Sequence, residues 1–225
     1  MSSSQPRQQD TYPANRRDDV RPSIPVGVRS ALDVGCSRGG FGLTLREVLG
    51  PDARIVGVEA MPEAAAEARQ LGGFDEVVDG YFPDALDGRS ERFDLISFND
   101  VLEHIVDPWQ VLQEVKRFLT PDGAVVAAIP NVEYLPVLLD LVKGRWDYAD
   151  HGVLDRTHVR FFTRSTMLDM FESCGYEVID CRGANVVGPW YKSDRLWMRR
   201  RLKKALTDRA GDRRFMHFVV TARPR

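Results

Sequence analysis

Three groups of residues have the types and spacing to do chemistry. Asp33, Gly35, Cys36, Ser37 and Gly39 lie in the run LDVGCSRGGFG, and Glu59 follows Asp33 by 26 residues. Glycines in such a loop let the backbone approach a ligand closely. A carboxylate at the end of the next strand accepts both hydroxyls of a ribose. The second group is Asp100, Glu103 and His104, spaced D-x-x-E-H, with His158 further along the chain. An imidazole titrates near neutral pH, so His104 and His158 are candidate proton acceptors, with Asp100 beside them. The same four side chains offer oxygen and nitrogen ligands to a divalent ion. The third group, Trp146, Tyr148, Asp155, Arg160 and Phe161, shares one aromatic and charged segment. Its rings offer a platform for sugar C–H faces or an aromatic ring. Arg160 suits a phosphate or carboxylate held by two hydrogen bonds.

These groups need a scaffold that brings them together. Apolar runs at 31–34, 54–59, 76–78, 93–98 and 124–129 read as strands. They do not alternate with polar residues, so both faces of their sheet are covered. Between them, 39–49, 62–71 and 108–119 read as helices. Gly50 and Pro51 stop the first, and Pro62 and Gly72 bound the second. Asp107, Pro108 and Gln110 open the third as N-cap, first-turn proline and capping-box partner. Strands alternating with helices give a doubly wound α/β sheet, with ligands at the carboxyl ends of its strands. The rhythm breaks over 130–162, an insertion in which a short helix (135–143) precedes the aromatic loop. Loops of that length in a compact domain tend to carry function. A helix over 163–174, a strand over 177–181 and a last strand over 215–222 complete the chain. His217, on that last strand, reads as structural.

The composition is that of an ordinary globular protein, with 43% hydrophobic and 28% charged residues among 225. A net charge of -2 argues against a protein built around nucleic acid. No apolar run reaches the roughly 18 residues of a membrane helix. The first twenty residues hold no apolar block for a secretory signal. Cys36, Cys174 and Cys181 follow no metal-ligand spacing, which points to a reducing, cytoplasmic compartment. Residues 1–22 read as a flexible polar tail, with docking of Tyr12 and the Arg16–Arg17 pair on the domain as the alternative, and 23–225 as the domain. Ten Lys/Arg against three Asp over 192–214, interspersed with Leu196, Trp197, Leu202 and Leu206, form a basic amphipathic segment. It suits peripheral contact with lipid phosphate at the inner face of a membrane. The sequence leaves oligomeric state open.

The spacing of the glycine loop chooses between nucleoside cofactors. A dinucleotide site wants G-x-G-x-x-G, whereas Cys36, Ser37 and Arg38 separate Gly35 from Gly39. Asp33 would also repel a pyrophosphate. S-adenosylmethionine (SAM) carries a cationic amino group and a sulfonium, and tolerates that acid. Over about residues 25–181 the chain resembles the class I SAM-dependent methyltransferases. LDVGCSRGGFG is similar to their first motif and VEAMPE to their acidic second-strand motif. FDLISFNDVLEHIVDP is similar to their fourth strand with its Leu-Glu-His, and LTPDGAVVAAIPN to their fifth-strand segment. The resemblance implies a Rossmann-like α/β fold with seven strands in the order 3-2-1-4-5-7-6, the seventh antiparallel. It implies that SAM, and its product S-adenosylhomocysteine (SAH), meets Asp33, Gly35, Cys36, Ser37, Gly39, Glu59, Ala60, Met61, Gly80, Tyr81 and Asn99. Ser37 stands where the family usually has glycine. Tyr81 stands where many members have an aspartate for the adenine amine. Stacking of Tyr81 or Phe82 on adenine, or a reach by Asp79, are the alternatives. Leu-Glu-His is common in metal-free members, so SAM without a metal is the expected cofactor set.

The segment RWDYADHGVLDRTHVRFFT is similar to that of a subgroup found with glycan and cell-surface polysaccharide genes. That similarity implies O-methylation of a sugar hydroxyl on a glycan or glycosylated intermediate. The alternatives are a small-molecule methyltransferase with a quinone, phenol or carboxylate acceptor, or a catalytically inactive cofactor-binding protein. The partner is then a small-molecule or glycan acceptor, with no nucleic acid.

Overall fold

The structure, a computed structural model, describes residues 14–186 and 210–225. The apolar runs pair as parallel strands: β1 (Ser30–Val34), β2 (Arg54–Glu59), β3 (Glu76–Asp79), β4 (Phe93–Asn99) and β5 (Leu119–Pro130). β6 (Tyr176–Val186) and β7 (Phe215–Pro224) follow. The sheet order is the expected one, β3-β2-β1-β4-β5-β7-β6, and β7 runs antiparallel to both β5 and β6. The strands lack polar alternation because helices cover both faces. Leu32, Val56, Ile96 and Val125 join one core layer with α3 (Pro108–Val115) and α5 (Arg164–Ser173). Their chain neighbours Ala31, Ile55, Leu95 and Val126 join the other, with α1 (Gly40–Leu49). Ala65 and Ala68 of α2 (Pro62–Leu71) pack against Val77. All eight strand residues are fully buried, and apolar burial at about 25 cal/mol per Å² is the main force holding these layers. β1 lies between β2 and β4. The loop after β1, Glu59 ending β2 and the Asn99–Asp100 end of β4 therefore converge.

Some segments depart from expectation. α3 stops at Val115, a 3-10 turn spans Lys116–Phe118, and β5 begins at Leu119. Thr120, Pro121, Asp122 and Gly123 form an irregularity within β5: Phe93 pairs with Leu119, but Leu95 already pairs with Ala124. β6 continues to Val186 because β7 supplies partners along its length, Ala184 facing His217 and Val186 facing Phe215.

The flexible tail expected over 1–22 does not hold for its described part. Val20 is fully buried with Phe41 and Leu45 of α1. The Thr44 hydroxyl donates to the Arg16 carbonyl at 2.6 Å, and Arg17 is 6% exposed. A lone valine among polar residues leaves no compositional trace of this packing. Most of the basic segment, up to residue 209, lies outside the described residues; Gly211–Arg214 form a 3-10 turn before β7. No helix among the described residues is long and apolar enough to cross a membrane.

The insertion folds back on the domain. After α4 (Leu135–Val142), none of whose residues is buried, the chain returns beside the turn Leu102–His104. The amides of Val159 and Arg160 both donate to the Glu103 carbonyl, at 2.9 and 3.0 Å, and Val132 N–H donates to the Phe162 carbonyl.

Candidate active site

A cavity of about 820 Å³ opens at the converging strand ends, lined by residues from the glycine loop, β2, β4, the insertion and β7. On the glycine-loop side, Glu59 is 8% exposed. Its Oε2 accepts from the Ser37 amide at 2.7 Å and its Oε1 from the Met61 amide at 2.9 Å. Each oxygen keeps a second lone pair for a diol. Gly35 and Gly39 have φ of +69° and +86°. A Cβ on Gly35 would lie 2.7 Å from a Val101 methyl, and one on Gly39 2.8 Å from the Ala68 Cα, so only glycine fits there. Ser37 adopts φ +48° without being glycine, which accounts for the family's preference at that position. The Cys36 thiol is buried, and that burial, with Asp33 and Glu59 nearby, pushes its pKa up. It is an inert packing group.

Asp33 is buried and accepts from the Ser97 hydroxyl at 2.7 Å and the Asn99 amide at 3.2 Å. Burial pushes its carboxyl up, against these hydrogen bonds, to about 7. A cation arriving at Asp33 would restore its charge. Tyr81 lines the cavity and is 75% exposed. Phe82 also lines the cavity, with its ring packed against Phe98 and Phe118, and Asp79 is paired with Arg69 at 2.6 Å. Of the three candidates for meeting adenine, Tyr81 is the exposed ring.

Asp100, expected beside the histidines as a catalytic group, is drawn elsewhere. Its residue has φ +56°, and its carboxylate meets the Arg17 guanidinium on Oδ2 and His217 Nε2 at 3.2 Å on Oδ1. Burial would raise this carboxyl, but His217 and Arg17 hold it down at about 2. An ion so held does not accept a proton near neutral pH, which corrects the expected role. Arg17 also grips Asp19 through two 3.1 Å hydrogen bonds. Asn185 Nδ2 donates to Asp19 at 3.0 Å and lies 3.1 Å from His217 Nδ1, which closes a ring of five side chains. The amide assigns the proton of His217 to Nε2, facing Asp100. Arg17 and His217 both line the cavity, and the sequence marks neither as a site residue.

Glu103, His104 and His158 do come together. His104 Nδ1 lies 3.1 Å from the Thr157 hydroxyl and 3.3 Å from its carbonyl. The hydroxyl donates to Asp155 at 2.7 Å, so His104 Nδ1 carries the proton and Nε2 keeps its lone pair. His158 Nδ1 pairs with the Val153 carbonyl at 3.0 Å, so its Nε2 is likewise free of a proton. Burial, then the neighbouring His104, pushes the His158 pKa below its ordinary value, so the ring is neutral. The two rings stand 4.7 Å apart, edge to face. Glu103 is 1% exposed, and neither of its carboxylate oxygens has a hydrogen-bond partner among the described residues. Burial and then Asp100 push its pKa well above the usual carboxylate range.

Of the substrate candidates, Asp155 lines the cavity, where it accepts from the Thr157 amide at 2.8 Å and shapes the loop. The other four do not line it. Trp146 packs edge-on against Phe161 with ring centres 5.4 Å apart, and Tyr148 is exposed. Arg160 donates from Nε to the Val106 carbonyl at 2.8 Å and sits 5.5 Å over the Trp109 ring. Its donors face the protein, and it braces the insertion against the β4–α3 connection.

A seven-stranded sheet of this order, with a glycine loop closed by a strand-end glutamate, defines a SAM-dependent methyltransferase that uses SAM as cofactor. The chain belongs to the methyltransferase-domain family, whose profile matches residues 9–180. It is 26% identical over 186 residues to a ubiquinone biosynthesis O-methyltransferase of Cereibacter sphaeroides, covering 79% of this chain and 73% of that protein. A SAM-dependent methyltransferase from Archaeoglobus fulgidus has the same fold, with a TM-score of 0.65 at 17% identity and 90% of each chain covered. So has a plantazolicin methyltransferase in complex with SAH, with a TM-score of 0.62 at 13% identity, covering 94% of this chain and 82% of that one.

Asp33 gives a testable pH dependence for cofactor binding. With its carboxyl at about 7 in the unliganded protein, binding the SAH ammonium below that pH must expel a proton. SAH affinity then falls as pH drops below 7, by up to about tenfold per unit. In unliganded protein the sign is opposite for stability. The raised carboxyl contributes stability that is complete below the unfolded value of 3.8 and lost as pH rises through about 7. Calorimetry at pH 6 in two buffers of different ionisation enthalpy detects the released proton. The same experiment on Asp33→Asn shows no buffer dependence; a proton release that persists there would belong to another group.

Proposed function

We propose that the protein transfers the SAM methyl group to a hydroxyl of a small ring acceptor of the phenol or quinol class. The observation that carries this reading is the pair of unprotonated Nε2 atoms on His104 and His158, in a cavity also lined by apolar Val101, Ile105, Val111 and Met216. A hydroxyl is a weak nucleophile at neutral pH, and assisted removal of its proton is what a methyl acceptor needs. The apolar lining suits a ring better than a polyhydroxylated sugar. The similarity to proteins named for ubiquinone biosynthesis supports the same choice. The sugar acceptor rested on similarity over a segment whose Trp146, Tyr148, Arg160 and Phe161 lie outside the cavity lining. Arg17, the buried cation in the lining, is placed to meet the carboxylate of the cofactor's methionine alongside Asp100. Incubating the protein with isotopically labelled SAM and parallel sets of catechols, hydroquinones and nucleotide-sugars tests the proposal. Label should enter the phenolic compounds; label found in the sugars alone would sink it.

The brace role of Arg160 predicts a different pattern from a substrate role. Arg160→Lys gives up the guanidinium pairing with Val106, at a cost of about 1 kcal/mol. For a domain of this size that lowers the melting temperature by about 2–4 °C, with acceptor KM and SAH affinity nearly unchanged. An unshifted melting temperature with a raised acceptor KM would return Arg160 to the substrate.

A further inference from the structure

We propose that Glu103, His104 and His158 bind one divalent transition-metal ion, which receives the acceptor hydroxyl. The inference rests on the reading of this cavity as an O-methyltransferase site. Each of the three residues presents one ligand atom, and these atoms all lie within 4.8 Å of one another. His158 Nε2 is 3.8 Å from Glu103 Oε1, too long for a hydrogen bond. Around a shared ion at about 2.0–2.2 Å, ligand atoms sit roughly 3.5 Å apart. A small contraction therefore closes the site.

The Glu103 carboxylate is the second, independent sign. A buried carboxyl group without any hydrogen-bond partner is costly and rare in folded proteins. Here both oxygens are in that condition at 1% exposure. The hydrogen bonds behind the rings point the same way. Each histidine spends its Nδ1 proton on a protein oxygen, Thr157 for His104 and Val153 for His158. This fixes the tautomer and aims the Nε2 lone pair, as second partners of metal-bound imidazoles do. Asp100, which the D-x-x-E-H spacing offers as a fourth ligand, is engaged by Arg17 and His217. The set is two imidazoles and one carboxylate, with coordination positions left for a hydroxyl and water. That mixture suits zinc, cobalt or manganese, whereas magnesium prefers oxygen ligands.

The ion's use follows from the reaction. Bound to the cation, the acceptor hydroxyl becomes more acidic and gives its proton to solvent. The oxygen then forms a bond to the SAM methyl carbon, the carbon–sulfur bond breaks, and its electron pair stays on sulfur in SAH. The sum is acceptor hydroxyl plus sulfonium giving methyl ether, thioether and one proton.

The test uses the full chain, stripped with a chelator and then titrated separately with Zn²⁺, Co²⁺, Mn²⁺ and Mg²⁺. One ion per chain should bind in the Zn²⁺ and Co²⁺ arms, with a visible Co²⁺ absorption spectrum and a melting temperature that rises with Zn²⁺. Mg²⁺ should bind far more weakly. Glu103→Gln should lower Zn²⁺ affinity by about tenfold or more, with SAH affinity retained. His158→Asn provides the same comparison if the first variant does not fold. No uptake at millimolar Zn²⁺, or uptake that both variants retain, overturns the site. The ion and the acceptor class fail separately. Uptake by a protein that methylates no phenol supports the ion and removes the acceptor reading. Phenol methylation at full rate in the presence of chelator removes the ion and leaves the acceptor reading in place.

Discussion

Replacing His104 by alanine lowers turnover by about two to four decades, the contribution of assisted proton removal, and leaves SAH affinity nearly unchanged. The separation follows from the lining of the cavity. The proposed cofactor contacts come from the loop after β1 and from Glu59, while His104 follows β4 and is oriented by Thr157 of the insertion. Deleting the imidazole removes the Nε2 lone pair on which activation of the hydroxyl depends, directly or through a bound ion, and frees Thr157 to hydrogen-bond elsewhere. His104→Gln restores a polar group without a basic nitrogen and should rescue little. Loss of the loop anchor alone predicts something else: a lower melting temperature, with turnover recovered by cooling. Single-turnover rates measured well below the melting temperature decide between the two. A near-normal rate there would remove His104 from the reaction.

How much of this site the sequence carried depends on how local each feature is. The convergence of the glycine loop, Glu59 and the strand ends was readable because their placement is written in neighbouring residues. Backbone freedom at Gly35 and Gly39 and an acid closing β2 need no long-range partner to be recognised. The sheet order was readable only through resemblance, since nothing in an apolar run names its neighbour. Arg17 carries no local mark of a place in the site, for a physical reason. Its charge is buried by carboxylates at Asp19 and Asp100, and the latter lies 83 residues away. His217 looked structural because an imidazole on a strand with apolar neighbours has no local sign of facing a cavity. Arg160 misled in the opposite direction. A guanidinium beside aromatic residues reads as a ligand clamp, yet its hydrogen bonds go to the Val106 carbonyl. That partner is a backbone atom, which no side-chain pattern can mark. Asp100 shows the limit of spacing arguments: D-x-x-E-H places its acid beside the histidines in sequence, while Arg17 and His217 decide where its carboxylate goes.

Glu59→Ala weakens SAH binding by about two to four decades. Two charge-assisted hydrogen bonds to the ribose hydroxyls are lost, at roughly 1.5–3 kcal/mol each. The structure adds a second consequence. Glu59 already accepts from the Ser37 and Met61 amides, and its removal leaves two donors at the cavity wall to find water. Ser37 holds a left-handed conformation at φ +48°, which costs roughly 1–2 kcal/mol outside glycine and is supported by that contact. The loop should therefore loosen as well as lose a ligand contact, and the unliganded melting temperature should fall. The two effects are separable with an SAH analogue that lacks both ribose hydroxyls. Against wild-type protein the analogue should bind far more weakly than SAH. Against Glu59→Ala the two ligands should bind almost equally, because the group that distinguished them is gone. If the variant still prefers SAH over the analogue by the wild-type margin, the ribose is held elsewhere and Glu59 serves only the loop.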